Sequence, residues 1–266
     1  MPNEPWTAEQ VLAAANDWVW VPRGSVHQRT EEFLAVVPPD YMGLPVLVRV
    51  FGSRRPAGDL VDEVVELAAG WGQSRLSWRL SDGAEPADLE DELLRRGAVV
   101  DVTLDVLGLP IADDLPDFGV PPEVTVREVT DEATLRDAHA VSTDAFGGGS
   151  PTDEQISTDL EELRTGLPEG HVGRVVAYVD GRPAGTGGWT LVRPVARLWG
   201  GATHTELRGR GAYRAVLAER LRLARAAGAT LGLSLGRVET SAPILRGLGF
   251  RWYGEQREVL LDTSGG

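Results

Sequence analysis

Apolar and polar positions along this chain alternate with two periods, and each change of period marks an element. Val124 to Val129 alternates with period two, as a half-buried strand does. Asp131 then stands as an N-cap, and apolar positions at helical spacing predict a helix to about Asp144. Gly147-Gly148-Gly149-Ser150-Pro151 breaks the chain, and Asp153 to Leu163 reads as a second helix. Gly173 to Val179, Ala184 to Val192 and Val195 to Ala202 predict consecutive antiparallel strands, with Asp180-Gly181 as the first hairpin signal. After a glycine-rich turn, Tyr213, Val216, Leu217, Leu221 and Ala224 share one helical face, with Arg214, Arg222 and Arg225 opposite. Gly228 supplies the C-terminal stop. Leu231 to Leu235 is a short buried strand, Ser241 to Gly247 is helical, and Arg251 to Leu261 is the last strand.

The first half repeats part of this order. Asp59 to Gly70 is an amphipathic helix, Arg75 to Leu80 a strand, Asp88 to Arg96 a helix and Ala98 to Leu109 a strand. The run ELLRRGAVVDVTLDVLGL aligns with PILRGLGFRWYGEQREVLL around Gly97 and Gly249. Residues 111–122 mix Pro, Gly and Asp without periodicity and read as a linker. The expected organisation is therefore two domains, 1–110 and 123–266, joined by 111–122.

Composition narrows the chemistry. A formal charge of -14 argues against nucleic acid as a partner. The chain has no cysteine and no lysine, which removes disulfides, thiolate nucleophiles and Schiff-base chemistry together. His27, His139, His171 and His204 show no metal-ligand spacing, so no metal is expected. No apolar run reaches the length of a membrane span, and Met1 to Pro5 lacks the basic start of a signal peptide. A soluble, cytoplasmic protein is the expectation. Asp131 to Glu169 is acidic and Arg208 to Arg225 basic, which suits either a cationic acceptor meeting an anionic cofactor or two solvated helix faces. Five of the eight tryptophans lie in the first half, as packing residues or as an aromatic ligand site.

The sharpest motif is Thr203-His204-Thr205-Glu206-Leu207-Arg208-Gly209-Arg210-Gly211-Ala212-Tyr213. Strand, glycine turn and helix start in that order make a cradle of free backbone N–H groups suited to a phosphate or diphosphate. The P-loop pattern needs a lysine, and the dinucleotide fingerprint meets Arg214 where its third glycine belongs. Gly232-Leu233-Ser234-Leu235-Gly236 matches a nucleophile elbow, but almost no strand precedes it and no histidine follows His204. The turn instead resembles the R/Q-x-x-G-x-G/A loop of the GNAT acyltransferase superfamily. Arg208 and Gly211 match, whereas Tyr213 stands where Gly or Ala is usual. That bulk either narrows the loop or lies along the first helical turn. SAPILRGLGF is similar to the last helix of the family, and the resemblance covers Glu123 to Leu261.

The resemblance implies an α/β fold of α+β type, a mixed and mostly antiparallel sheet flanked by helices. Two such domains are expected in tandem. The first is degenerate, because Phe51 to Gly58 lacks the R-G-x-G cradle. The resemblance also implies an N-acyltransferase that moves an acetyl or other short acyl group from acetyl-CoA, or another acyl-CoA, to a small-molecule amine. Without cysteine, direct attack in a ternary complex is the available route. Amides from Arg208, Gly209, Arg210, Gly211, Ala212 and Tyr213 would bind the diphosphate, and Gly201, Ala202 and Thr203 would pair with the pantetheine arm. Arg210 and Arg214 either add charge towards the phosphates or remain solvated. Many members carry a glutamate before the loop, but Ala196, Arg197, Leu198 and Trp199 offer none. Leu245 aligns with the usual tyrosine acid. His204 and Glu255 are substitutes by position only. The acceptor, which a cationic amine would suit, is expected among the two acidic helices, Phe146 to Gly148 and the last strands. A homodimer is compatible with this reading. The alternative is a catalytically silent acyl-CoA-binding or regulatory protein, favoured by the missing Glu and Tyr.

Overall fold

The structure, a computed structural model, describes residues 6–111, 115–166 and 170–264. Part of the expected linker, Ala112 to Asp114, lies outside the described residues, as do Glu169 and Met1 to Pro5. The elements in chain order are α1 (Ala8–Asn16), β1 (Val26–Arg29), β2 (Phe33–Val37), β3 (Val46–Val50), α2 (Ala57–Gly70), β4 (Arg75–Ser81), α3 (Leu89–Arg95) and β5 (Val99–Pro110). There follow β6 (Thr125–Glu128), α4 (Glu132–Phe146), α5 (Asp153–Thr165), β7 (His171–Val179), β8 (Arg182–Val192) and β9 (Val195–Thr203). The chain ends with α6 (Ala212–Ala226), β10 (Leu231–Arg237), α7 (Ser241–Gly247) and β11 (Arg251–Asp262). No described helix is long and apolar enough to cross a membrane.

The chain forms two compact units that are not simple consecutive halves. The first comprises Ala8–Leu107, Gly236–Leu245 and the segment from Trp252; the second is built mainly from Gly108–Leu235 and Arg246–Arg251. β11, which sequence groups with 123–266, pairs antiparallel with β4 of the first unit, from Gln256↔Ser81 to Asp262↔Arg75. The sheet of the first unit runs β1-β2-β3-β4-β11-β5. Its pleat sends Phe33, Ala35, Val48, Trp78 and Val259 to one face, where Leu60, Val61, Val64 and Ala68 of α2 and Leu89 and Leu93 of α3 close the core.

The sheet of the second unit runs β10-β9-β8-β7-β6. β6 to β9 are antiparallel neighbours, and β10 returns parallel to β9 after α6. Successive residues of β7 serve opposite faces. Val175, Ala177 and Val179 pack with Ala212, Ala215 and Val216 of α6. Val176 and Tyr178 pack with Leu135, Ala138 and Ile156 of α4 and α5. Asp131 caps α4 as its sequence predicts, its carboxylate accepting from the Thr134 N–H. The β3-α2-β4 unit of the first sheet repeats the β9-α6-β10 plan, each a parallel pair joined by a helix. Mixed sheets of mostly antiparallel strands with flanking helices, present twice, are the fold class that the sequence implied.

Candidate functional site

β9 carries the strand part of the site. Its ladder to β8 runs from Val192↔Val195 to Gly188↔Trp199 and resumes at Thr186↔Ala202. Gly200 and Gly201 therefore both stand against Gly187, a bulge in which Gly200 takes φ 60°. On the other edge, the parallel ladder to β10 spans only Leu231↔Val195 to Ser234↔Leu198. Beyond Leu198 that ladder ends. The 199–203 edge of β9 is thus a backbone template for an extended ligand.

The strand leads through a 3-10 turn, Thr205–Leu207, to Arg208 and the α6 N-terminus. Leu207 is buried in the core and pins the turn, while Arg208 and Gly209 are exposed. Gly209 takes φ 77° and Gly211, the N-cap of α6, φ 84°. Gly211 offers no side chain, so the first-turn N–H groups of α6 receive no side-chain cap. Those groups and the helix dipole favour an anion. Arg210 is ion-paired to Asp180 of the β7–β8 hairpin, Nη2 to Oδ2 3.0 Å. Gly201, Ala202, Thr203 and Arg208 to Arg214 thus form one continuous strand-turn-helix in the second unit.

Tyr213 does not narrow the loop. Its ring packs beneath the bulge, where a Cβ on Gly201 would meet Tyr213 Cε2 at 3.2 Å. Its hydroxyl lies beside the guanidinium of Arg220, and burial pushes the phenol above its ordinary pKa. Arg220 is buried, and its Nη1 donates to the carbonyls of Gly188 and Trp199, both at 3.2 Å. Loss of solvent pulls this guanidinium below its ordinary value. The sequence reading passed over Arg220, although helical spacing sets it one turn beyond Val216 on the buried face. The Trp199 ring covers Gly188, where an added Cβ would stand 2.2 Å from it, and its Nε1 donates to Thr190 Oγ1.

His204 caps the 3-10 turn, its Nδ1 3.4 Å from the Glu206 N–H and 3.6 Å from Asp144 Oδ2. Asp144 accepts from Thr205 N at 2.6 Å and Thr205 Oγ1 at 3.1 Å. The Thr205 backbone bond is the leading reason this carboxylate is held below its ordinary range. A depressed native pKa makes the contact complete above the usual carboxylate range and lost as pH falls through the lowered value. The Thr205 amide resonance should therefore hold its position from neutral pH through the usual carboxylate range and shift only below it. A shift centred on an ordinary carboxylate pKa would contradict that bond. Glu255 belongs to the first unit and is ion-paired to Arg257 at 2.7 Å. Leu245 is buried within α7, and Ser234 is a residue of β10.

The corresponding turn of the first unit, Phe51 to Gly58, is built differently. Ser53 Oγ donates to Glu32 Oε1 at 2.6 Å, and Arg55 pairs with Glu32 at 2.6 Å and Glu63 at 2.7 Å. The Ser53 bond is the leading cause of the lowered pKa of Glu32. Carboxylates of the chain itself already engage the Ser53 and Arg55 side chains of this turn.

No family model matches the chain, and no curated protein matches it in sequence. Solved structures match it along nearly its full length. A GCN5-related N-acetyltransferase from Kribbella flavida is 19% identical, with TM-score 0.64, over 97% of this chain and 96% of that one. A tandem GNAT protein from the clavulanic acid biosynthesis pathway is 18% identical, with TM-score 0.63, over 98% and 90%. A GCN5-related N-acetyltransferase from Sphaerobacter thermophilus is 18% identical, with TM-score 0.63, over 97% and 86%. The chain therefore has the fold of the GCN5-related N-acetyltransferases. The tandem form of that fold accounts for both of its units.

Proposed function

We propose that this protein is an acyl-CoA-dependent N-acyltransferase whose cofactor site lies in the second unit. The observation that carries this reading is the continuity of three features: the released edge of β9, the Gly209–Gly211 turn and the uncapped start of α6. An extended pantetheine arm takes the edge as an added strand, and the diphosphate takes the helix start. The fold shared with N-acetyltransferases supports acyl transfer as the chemistry.

The thioester would sit near the bulge at Gly200–Gly201, where a backbone N–H can polarise its carbonyl. Arg220 holds the Trp199 and Gly188 carbonyls and so fixes the strand on which that N–H depends. A small-molecule amine, for which the acidic helices α4 and α5 favour a cationic one, attacks the carbonyl directly. The thiolate of CoA leaves and the amine gives up its proton. An amine of lysine-like pKa needs about 4 kcal/mol to lose that proton at neutral pH. His204, held beside Asp144, is the candidate base within the second unit; Glu255, already paired with Arg257, is the weaker one.

The missing carboxylate in Ala196 to Trp199 and the buried Leu245 favour a second reading, an acyl-CoA-binding protein without turnover. Thiol release from acetyl-CoA over a panel of amines separates the two. Release with at least one amine supports transfer; tight CoA binding without release for any amine supports the silent protein. Because Phe51 to Gly58 lacks the R-G-x-G cradle and Glu32 and Glu63 already engage its Ser53 and Arg55 side chains, calorimetry should give one CoA per chain. A stoichiometry of two would overturn the degenerate reading of the first unit.

A further inference from the structure

The first unit contains a cleft that the acyl-transfer reading leaves unused. Its sheet hides Phe33, Ala35, Val48 and Trp78 beneath α2 and α3, and the pleat must present the alternate residues on the other face. The strand registers order those residues into rows. Leu34 pairs with Arg49, Arg49 with Arg79, and Arg79 with Glu258, a row crossing β2, β3, β4 and β11. Beside it Val36 pairs with Leu47 and Leu47 with Ser77. The chain leaving α1 turns over these rows, with Trp18 N bonded to Ala15 O and Val19 N to Asp17 O, and brings Trp18 and Trp20 above them. The space enclosed is about 80 Å³, and it opens outward through a wider mouth.

Its charges are unevenly matched. Glu258 is committed to Arg79, accepting from both Nε and Nη2. Among the described residues Arg49, 6% exposed, makes four hydrogen bonds, all to neutral oxygens: Asn16 O, Asn16 Oδ1, Arg79 O and Ser81 Oγ. A guanidinium has five N–H donors, so one on Nη1 is left over. Burial, with the neighbouring Arg79 charge, draws Arg49 down to about 10, and Asp17 offsets this only in part. A buried cation without a carboxylate bond is costly, and an anion that reaches it recovers part of that cost.

We propose that this cleft binds a small aromatic carboxylate, its ring between the Trp18–Trp20 segment and the Val36–Leu47 floor and its carboxylate on Arg49. The indoles supply flat apolar area, and the guanidinium supplies a charge-assisted bond of fixed direction. The site belongs wholly to the first unit and does not depend on the proposed transferase activity.

Calorimetry with 2-naphthoate tests it, with 2-naphthylmethanol and acetate as the uncharged and ring-free controls. Naphthoate should bind with a Kd of about 10–100 µM, and each control at least tenfold more weakly. Trp20 is 42% exposed, so Trp20→Ala should leave the fold intact and weaken naphthoate at least tenfold. Arg49→Gln should equalise naphthoate and naphthylmethanol. CoA titrations should be the same with and without saturating naphthoate. Absence of naphthoate binding up to about 1 mM would overturn the proposal, as would equal binding of naphthylmethanol by the unaltered protein. Unchanged affinity in Trp20→Ala, or displacement of naphthoate by CoA, would also overturn it.

Discussion

Gly209→Asp should weaken CoA about 100-fold while leaving the protein folded. Gly209 is exposed, and a Cβ built on it meets nothing within 4 Å. Its φ of 77° lies in the left-handed region, which aspartate tolerates better than most residues. The thermal cost should be a few degrees. The electrostatic cost is larger, because the new carboxylate faces the same helix start as the diphosphate. Two unit charges about 4 Å apart interact by about 4 kcal/mol at an effective dielectric of 20, and exposure to salt reduces this. A net loss of about 2.7 kcal/mol is a factor of about 100. Gly209→Ala carries at least as much backbone strain without the charge and should bind CoA within about threefold of the unaltered protein. Equal CoA affinity in Gly209→Asp and the unaltered protein would show that the diphosphate is bound elsewhere.

How far the sequence reaches depends on the range of each interaction. The strands and helices of the second unit were legible because their pattern is local. In β7 both faces are buried, and the Asp180-Gly181 hairpin, the Asp131 cap and the Gly228 stop each lie within a few residues of what they control. β1 reads Val-His-Gln-Arg with every residue exposed and carries no such pattern, so sequence reasoning passed over it. The pairing of β11 with β4 was equally invisible, since Val259↔Trp78 and Leu261↔Leu76 join residues far apart in the chain. At the site, the glycine turn was legible and its support was not. Arg220 was overlooked because a charge on an apolar stripe reads as an interruption. Its partners are carbonyls of two different strands, which sequence does not bring together.

Gly211→Ala is the companion experiment, and it should injure the fold rather than the affinity alone. A Cβ on Gly211 would lie 2.4 Å from Pro121 Cδ and 2.6 Å from Pro121 Cγ. The proline ring is rigid, and its carbonyl accepts from the Val124 N–H just before β6, so retreat disturbs the edge of the sheet. The φ of 84° adds a left-handed penalty of about 1–2 kcal/mol for alanine. Overpacking adds about 1–3 kcal/mol. Together they predict about 2–5 kcal/mol of destabilisation, read from the urea transition of the second unit. The two contributions are separable. Pro121→Gly in the same chain removes the ring and should return the steric part, leaving the backbone part, so the pair should be strongly non-additive. Additive effects, or an unaltered transition in Gly211→Ala, would mean that Pro121 does not rest on the cradle. Loss of CoA binding in any Gly211 variant follows from this packing, which is why Gly209, and not Gly211, is the position that reports on the diphosphate.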